Sequence, residues 1–182
     1  MPFTFRPLEL DGVIAVQAQV FPDERGFFLE SYKKSEFHAN GIVAELVQDN
    51  HSRSRRGVLR GLHYQLSPHA QGKLVSVVSG TIWDVAVDVR QSSSSFGQWT
   101  AVELSEAKKN ALWIPAGFAH GFVCLSETAD VYYKTTAEYC GSAERGVRWD
   151  DSTLAIDWPI TDVSVCERDQ NLPTWDAADF FP

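Results

Sequence analysis

Short apolar or alternating runs, separated by turn residues, carry the chain from end to end. Residues 13–20 alternate, PDERG (22–26) interrupts them, and 27–32 and 43–47 are again apolar. Further runs cover 57–65, 73–78, 81–90, 99–104, 111–114, 121–125 and 131–136, with Gly, Ser and Asn between them. Strands at this spacing predict an all-β sandwich or barrel. Residues 82–89, IWDVAVDV, alternate strictly. Trp83, Val85, Val87 and Val89 fall on one face, and Ile82, Asp84, Ala86 and Asp88 on the other. Two carboxylates on that second face predict that it meets a polar cavity or water instead of a dry core. SEFHAN (35–40) followed by Gly41 predicts one or two helical turns, with Ser35 as N-cap and Gly41 as stop. SSSSFG (92–97) reads as a loop. After Trp149 the chain turns acidic and aromatic, which suits a short helix packed on the barrel.

The totals narrow the class. A length of 182 residues, 44% hydrophobic and 22% charged, fits one domain spanning 1–182 with a sizeable core. A net charge of −8 argues against broad nucleic-acid binding, yet a local cationic pocket on an acidic protein still accepts an anion. Cys124, Cys140 and Cys166 lack CxxC spacing and read as reduced, buried thiols of a cytoplasmic protein. The N-terminus has no basic start followed by an apolar stretch, and no apolar run reaches membrane-spanning length.

The candidate chemistry concentrates in two pieces, residues 48–80 and IPAGFAHGF (114–122). Arg60 and His63 sit three apart, Lys73 opens the next apolar run, and His120 ends the second piece. Alone, His63 reads as a structural histidine and Lys73 equally as an exposed strand-end cation. Together with Arg60 they make an anion site around an imidazole, the usual general base near neutral pH. Such a site suits removal of a proton beside a carbonyl in an anionic substrate and needs few carboxylates of its own. Tyr132 and Tyr133 alternate, so one phenol points inward, where it is either simply hydrogen-bonded or a proton donor. Asp169, in CERDQN, is a turn residue or the carboxylate that orients an imidazole. Arg25, in DERGFFLE, has Glu30 as a pairing partner across a turn.

Pro115, Gly117 and His120 have the spacing of the second motif of the cupins, small β-barrels that often hold a metal. In metal-binding cupins the first motif supplies two histidines one residue apart, then a glutamate shortly before a glycine. Here His63 fills the first place and Gln65 the second, and Lys73 stands seven before Gly80, about where the glutamate belongs. A cation there repels a divalent metal, and the remaining histidines are too few for a stable site.

Taken together, QDNHSRS, GVLRGLHYQ, QGKLV, DVAVDVR, FGQW and LWIPAGFAHGF resemble the dTDP-4-dehydrorhamnose 3,5-epimerases from about Val13 to Asp169. The resemblance implies a cupin-type jelly-roll barrel with short peripheral helices, a homodimer, no metal and no cofactor. It implies dTDP-4-dehydro-6-deoxyglucose as substrate, epimerised at C3 and C5 on the way to dTDP-L-rhamnose. By motif, His63 is the base supported by Asp169, Tyr133 the acid on the opposite face, and Lys73 the group that holds the C4 oxygen as an enolate. Substrate contacts fall to Arg25, Glu30, Gln48, Asp49, Asn50, Arg60, His120, Glu144 and Arg168. Many relatives carry Lys where this chain has Arg168, which keeps the charge and changes its geometry. Three alternatives stand beside this reading: an epimerase acting at one carbon, a non-catalytic sugar-nucleotide-binding cupin, and a metal-dependent cupin oxygenase.

Overall fold

In the computed structural model, which describes residues 2–182, the predicted strands form two antiparallel sheets packed face to face, the jelly-roll barrel of the cupins. In chain order the elements are β1 (Phe3–Pro7), β2 (Ile14–Ala18), β3 (Phe21–Asp23), β4 (Gly26–Phe28), α1 (Lys34–Ala39), β5 (Gln48–Arg55), β6 (Val58–Gln65) and β7 (Lys73–Ser79). They continue with β8 (Thr81–Asp88), β9 (Trp99–Ser105), β10 (Asn110–Ile114), β11 (Phe118–Cys124), β12 (Thr128–Thr135), β13 (Glu144–Gly146), β14 (Ser164–Val165) and α2 (Glu167–Gln170), and a 3-10 turn at Trp175–Ala177 follows. The first sheet runs β1-β2-β10-β7-β12-β5, and the second runs β13-β6-β11-β8-β9 with β14 parallel to β6. β3 and β4 form a separate hairpin.

Three apolar layers follow from the alternation of these strands. Val75, Val77, Ile82, Ala86, Phe118, Phe122 and Val131 fill the space between the sheets. Phe3, Val16, Phe37, Ile42, Leu74 and Trp113 cover the outside of the first sheet. Helix α1, six residues long, is too short to persist alone. Fully buried Phe37 anchors it, in edge-to-face contact with Phe3 and Phe5 at 5.2 and 5.1 Å between ring centres. The helix begins one residue before Ser35, and Lys33, without a side-chain cap, takes the N-cap position expected of that serine. The outside of the second sheet is covered by the C-terminal segment, where Trp158 and Trp175 pack on Val85, Val87, Ala119 and Val123.

Strand β8 is therefore buried on both faces. Its Asp84 and Asp88 face is not solvated: Ile82 and Ala86 on that face belong to the central core, and both carboxylates are fully buried. Asp88 is held at 2.6–2.9 Å by Arg90, which neutralises its charge, and by the hydroxyls of Ser93 and Ser95, which the SSSSFG loop supplies as donors. Asp84 lies nearer the open end of the barrel, and its partner is His120.

Candidate active site

One end of the barrel opens into a cavity of about 590 Å³ between the sheets. Its first-sheet wall is set by alternation. Lys73 shares the inward face of β7 with Val75 and Val77, and Tyr133 shares that of β12 with Val131. Gln48, Asn50 and Ser52 line it from β5. Tyr132, the alternate phenol, points outward and donates to Asp49 at 2.6 Å.

The opposite wall is built where the two histidine motifs meet. His63 on β6 and His120 on β11 are direct cross-strand partners, and the register slips by one residue just beyond them, between His120 and Phe122. The slip depends on glycine. Gly61 has φ +128°, and a Cβ on it would lie 2.5 Å from Gly121 Cα; a Cβ on Gly121 would lie 2.8 Å from the Arg60 carbonyl oxygen. The irregularity leaves the Gly61 amide without a strand partner, and Asp169 of α2 accepts it at 3.0 Å through Oδ2.

The other Asp169 oxygen, Oδ1, lies 2.8 Å from His63 Nε2. Burial acts to raise the Asp169 carboxyl, but the His63 bond and charge, the Gly61 amide and Arg168 outweigh it and hold the group at about 2. An ionised carboxylate only accepts, so His63 Nε2 carries the hydrogen and Nδ1 keeps the lone pair. The Arg168 Nη2 contact at 3.3 Å is then a close approach of a cation to the ring and not a second hydrogen bond. Arg168 also pairs with Glu144 at 3.1 Å, and Glu144 accepts from the Tyr139 hydroxyl at 2.9 Å. These three residues form one rim of the cavity.

Lys73 is 8% exposed and donates to the His63 carbonyl at 3.2 Å. Burial pulls its ammonium down to about 8, against the opposing pull of Asp84 and Glu144. Tyr133 is pushed up by burial and by Glu144, with Arg60 acting the other way, so its phenol keeps its proton at neutral pH. Arg60 is braced by Ser54 Oγ at 3.0 Å and by the Arg53 carbonyl at 3.2 Å.

The cavity thus gathers His63, Tyr133, Asp169, Lys73, Gln48, Asn50, Arg60, His120, Glu144 and Arg168. Three expected contacts lie elsewhere in the single chain. Arg25, whose side chain is 84% exposed at the tip of the β3–β4 hairpin, pairs with Asp23 at 2.5 Å and not with Glu30. Glu30 follows the same hairpin and does not line the cavity. Asp49 faces outward because its neighbours Gln48 and Asn50 face in, and it binds Tyr132 and Lys134. Buried Asp84 joins the expected Asp169 and Glu144 as a carboxylate attending the site, and the expectation of three buried thiols holds only for Cys124, since Cys140 is half-buried and Cys166 exposed. Sequence reasoning passed over Tyr139, Ser52, Gln71 and Cys166 in the lining, and alternation along β5 was the signal available for Ser52.

Gln65, at the place of a metal-binding histidine in other cupins, is occupied as a brace. Its Nε2 donates to the His69 and Glu138 carbonyls, and its Oε1 accepts the Cys140 amide at 2.8 Å. No three His, Cys, Asp or Glu side chains are grouped as metal ligands among the described residues.

Known proteins resemble this chain over nearly its whole length. The family description of the dTDP-4-dehydrorhamnose 3,5-epimerases matches residues 7–177. The dTDP-4-dehydrorhamnose 3,5-epimerase of Pseudomonas aeruginosa is 51% identical over 177 residues, 96% of this chain and 97% of its own length. That of Shigella flexneri is 50% identical over 174 residues, 95% of this chain and 96% of its own. The crystal structure of the dTDP-6-deoxy-D-glucose-3,5-epimerase from Legionella pneumophila, in complex with dTDP-4-keto-L-rhamnose, superposes with a TM-score of 0.94 at 44% identity, over 97% of this chain and 95% of that one. With a match that runs through both walls of the cavity and nearly all of the chain, this protein belongs to the dTDP-4-dehydrorhamnose 3,5-epimerase family of isomerases.

Proposed function

We propose that the chain epimerises C3 and C5 of dTDP-4-dehydro-6-deoxy-D-glucose, a step toward dTDP-L-rhamnose. The observation that carries the reading is the placement of an oriented imidazole, His63, on one wall of the cavity and a protonated phenol, Tyr133, on the other, with a buried cation, Lys73, in the same space. Both carbons flank the C4 ketone, so each carries an acidified hydrogen. His63 Nδ1 takes that proton, the electron pair moves onto the C4 oxygen beside Lys73, and Tyr133 returns a proton from the opposite face. The configuration inverts. His63 then releases its proton and Tyr133 regains one before the second carbon is treated. Arg60 and Arg168 offer planar donor forks to the diphosphate.

The active form in this reading is a cytoplasmic homodimer. Among the described residues no helix is long and apolar enough to cross a membrane. The β3–β4 hairpin exposes Phe21, Phe27 and Phe28, the last at 65%, an apolar surface that a second copy would cover. Arg25 and Glu30, absent from the cavity of their own chain, would then serve the cavity of the partner.

Proton NMR of the substrate in D2O tests the activity, with His63→Ala and Tyr133→Phe run beside the wild type. Deuterium at both C3 and C5, lost in His63→Ala, is the expected result. Deuterium at one carbon alone would make the protein a single-carbon epimerase. Nucleotide binding without exchange would reduce it to a binding module.

A further inference from the structure

The mechanism above uses Lys73 but gives no role to His120, which lines the same cavity, or to the buried carboxylate that His120 meets. Asp84, on β8, is 0% exposed. Its Oδ1 lies 2.7 Å from His120 Nε2, while its Oδ2, also buried, has no hydrogen-bond partner. A buried carboxylate oxygen left unbonded forfeits its hydration without replacement and is uncommon without a use. Asp88, two residues along the same face, shows the alternative: Arg90, Ser93 and Ser95 satisfy both of its oxygens. Lys73, in turn, has spare donors, since its ammonium makes one hydrogen bond, to the His63 carbonyl.

We propose that Asp84 is a positioning residue of the enolate-binding corner: one oxygen fixes the His120 ring, and the other supplies the counter-charge for Lys73. This rests on the epimerase reading given above. Hydrogen-bonding to Asp84 through Nε2 directs the opposite nitrogen of His120 toward the cavity that His120 lines, as Asp169 does for His63 on the neighbouring strand. The charge of Asp84 acts on Lys73 across the barrel. It is the larger of the two negative charges, ahead of Glu144, that oppose the burial pulling Lys73 down to about 8. The other charged or titratable groups lining the cavity with Lys73 are His63, Arg60 and Tyr64 from β6, His120 from β11, Tyr133 from β12, Tyr139 beyond it, Glu144 from β13, Cys166 just before α2, and Arg168 and Asp169 from α2. Of these carboxylates, Asp169 is already engaged by His63 and Gly61, and Glu144 by Arg168 and Tyr139. Among the described residues only Asp84 has a carboxylate oxygen that is both buried and without a partner.

The test is the pH profile of kcat/KM for the wild type, Asp84→Asn and Asp84→Glu. Asn keeps the shape and removes the charge, whereas Glu keeps the charge. In Asp84→Asn the alkaline limb moves to lower pH by about one unit, so that the loss in kcat/KM is about tenfold greater at pH 9 than at pH 6. In Asp84→Glu the limb stays where the wild type has it, even if the overall rate falls. A loss in Asp84→Asn that is equal at every pH, or no loss at all, would overturn the proposal, because a merely structural carboxylate does not move the limb. Should Asp84→Asn fail to fold, Asp84→Ser, smaller and equally uncharged, is read on the same scale. Absence of deuterium exchange in the wild type would sink the epimerase reading itself, a result separate from an unmoved limb in an active enzyme.

Discussion

His63 and Asp169 stand 106 residues apart in the chain and 2.8 Å apart in the molecule. Replacing Asp169 by Asn substitutes an amide that can donate to Nε2, which transfers the ring hydrogen to Nδ1 and removes the base. A drop in kcat on the order of 10²–10⁴ is expected, with dTDP affinity close to that of wild type. Single-turnover rates and calorimetric binding of dTDP check the two halves.

The same carboxylate makes stability depend on acid. Its folded value of about 2 lies below the ordinary 3.8, so its contribution is fully present above 3.8 and is lost as pH falls through that window toward 2. Chemical denaturation at pH 5, 3.5 and 2.5 should show wild type losing stability faster than Asp169→Asn over the lower interval.

Lys73 sets the alkaline side. With burial holding it at about 8 against an ordinary 10.5, the enolate loses its cation as pH rises through 8, and kcat/KM falls there. Stability runs the other way. The unfolded chain holds the extra proton between 8 and 10.5, so folding becomes more favourable with rising pH across that window. Lys73→Met should therefore abolish most turnover while gaining on the order of 1–3 kcal/mol at pH 7, measured by urea unfolding.

Gly61→Ala asks for a Cβ 2.5 Å from Gly121 Cα at φ +128°, with backbone on the opposing side and nothing flexible to yield. A loss of about 3 kcal/mol or more is expected, together with the His63 alignment. Thermal unfolding and activity should fall together, in contrast to Asp169→Asn, where activity falls far more than stability at pH 7.

Arg25→Ala should leave thermal stability within about 0.5 kcal/mol of wild type, because the Asp23 pair is exposed, yet raise KM. Mixing inactive His63→Ala with Arg25→Ala then provides a check on shared sites. If two copies pair as proposed and Arg25 reaches across, a mixed dimer holds one cavity with both groups intact and activity returns on mixing; if Arg25 serves its own chain, activity stays low.

The sequence made much of the cavity legible because its motifs carry their geometry with them. The spacing of Arg60, His63, Lys73 and His120 pointed to one anion site, and alternation placed one of two adjacent tyrosines inside; the close approach of Gly61 to Gly121 emerged only in the fold. The contiguous QDN triplet misled because it was read outside any strand. Once β5 is recognised, Asp49 must face away from Gln48 and Asn50. That strand is polar throughout its first half, so no apolar pattern announced it, whereas the apolar run at 43–47 forms no regular element. Asp84 was visible as a carboxylate on an alternating strand. Its burial was not, since this depends on His120 arriving from a strand 36 residues later.

The docking of the C-terminal segment gives the protein a built-in order of assembly. During synthesis a chain that has emerged as far as β12 already possesses every strand of the first sheet, together with the imidazole, the lysine and the phenol. It still lacks the acceptor for His63 Nε2 and for the Gly61 amide, because α2 is made later. Tyr64 beneath the same strand waits for the Asp179 carbonyl, and Arg90 for its bridge to Phe181. A chain that ends before α2 can pair its first sheet in full and still has no carboxylate to orient His63, so the imidazole is set only when the last segment has docked.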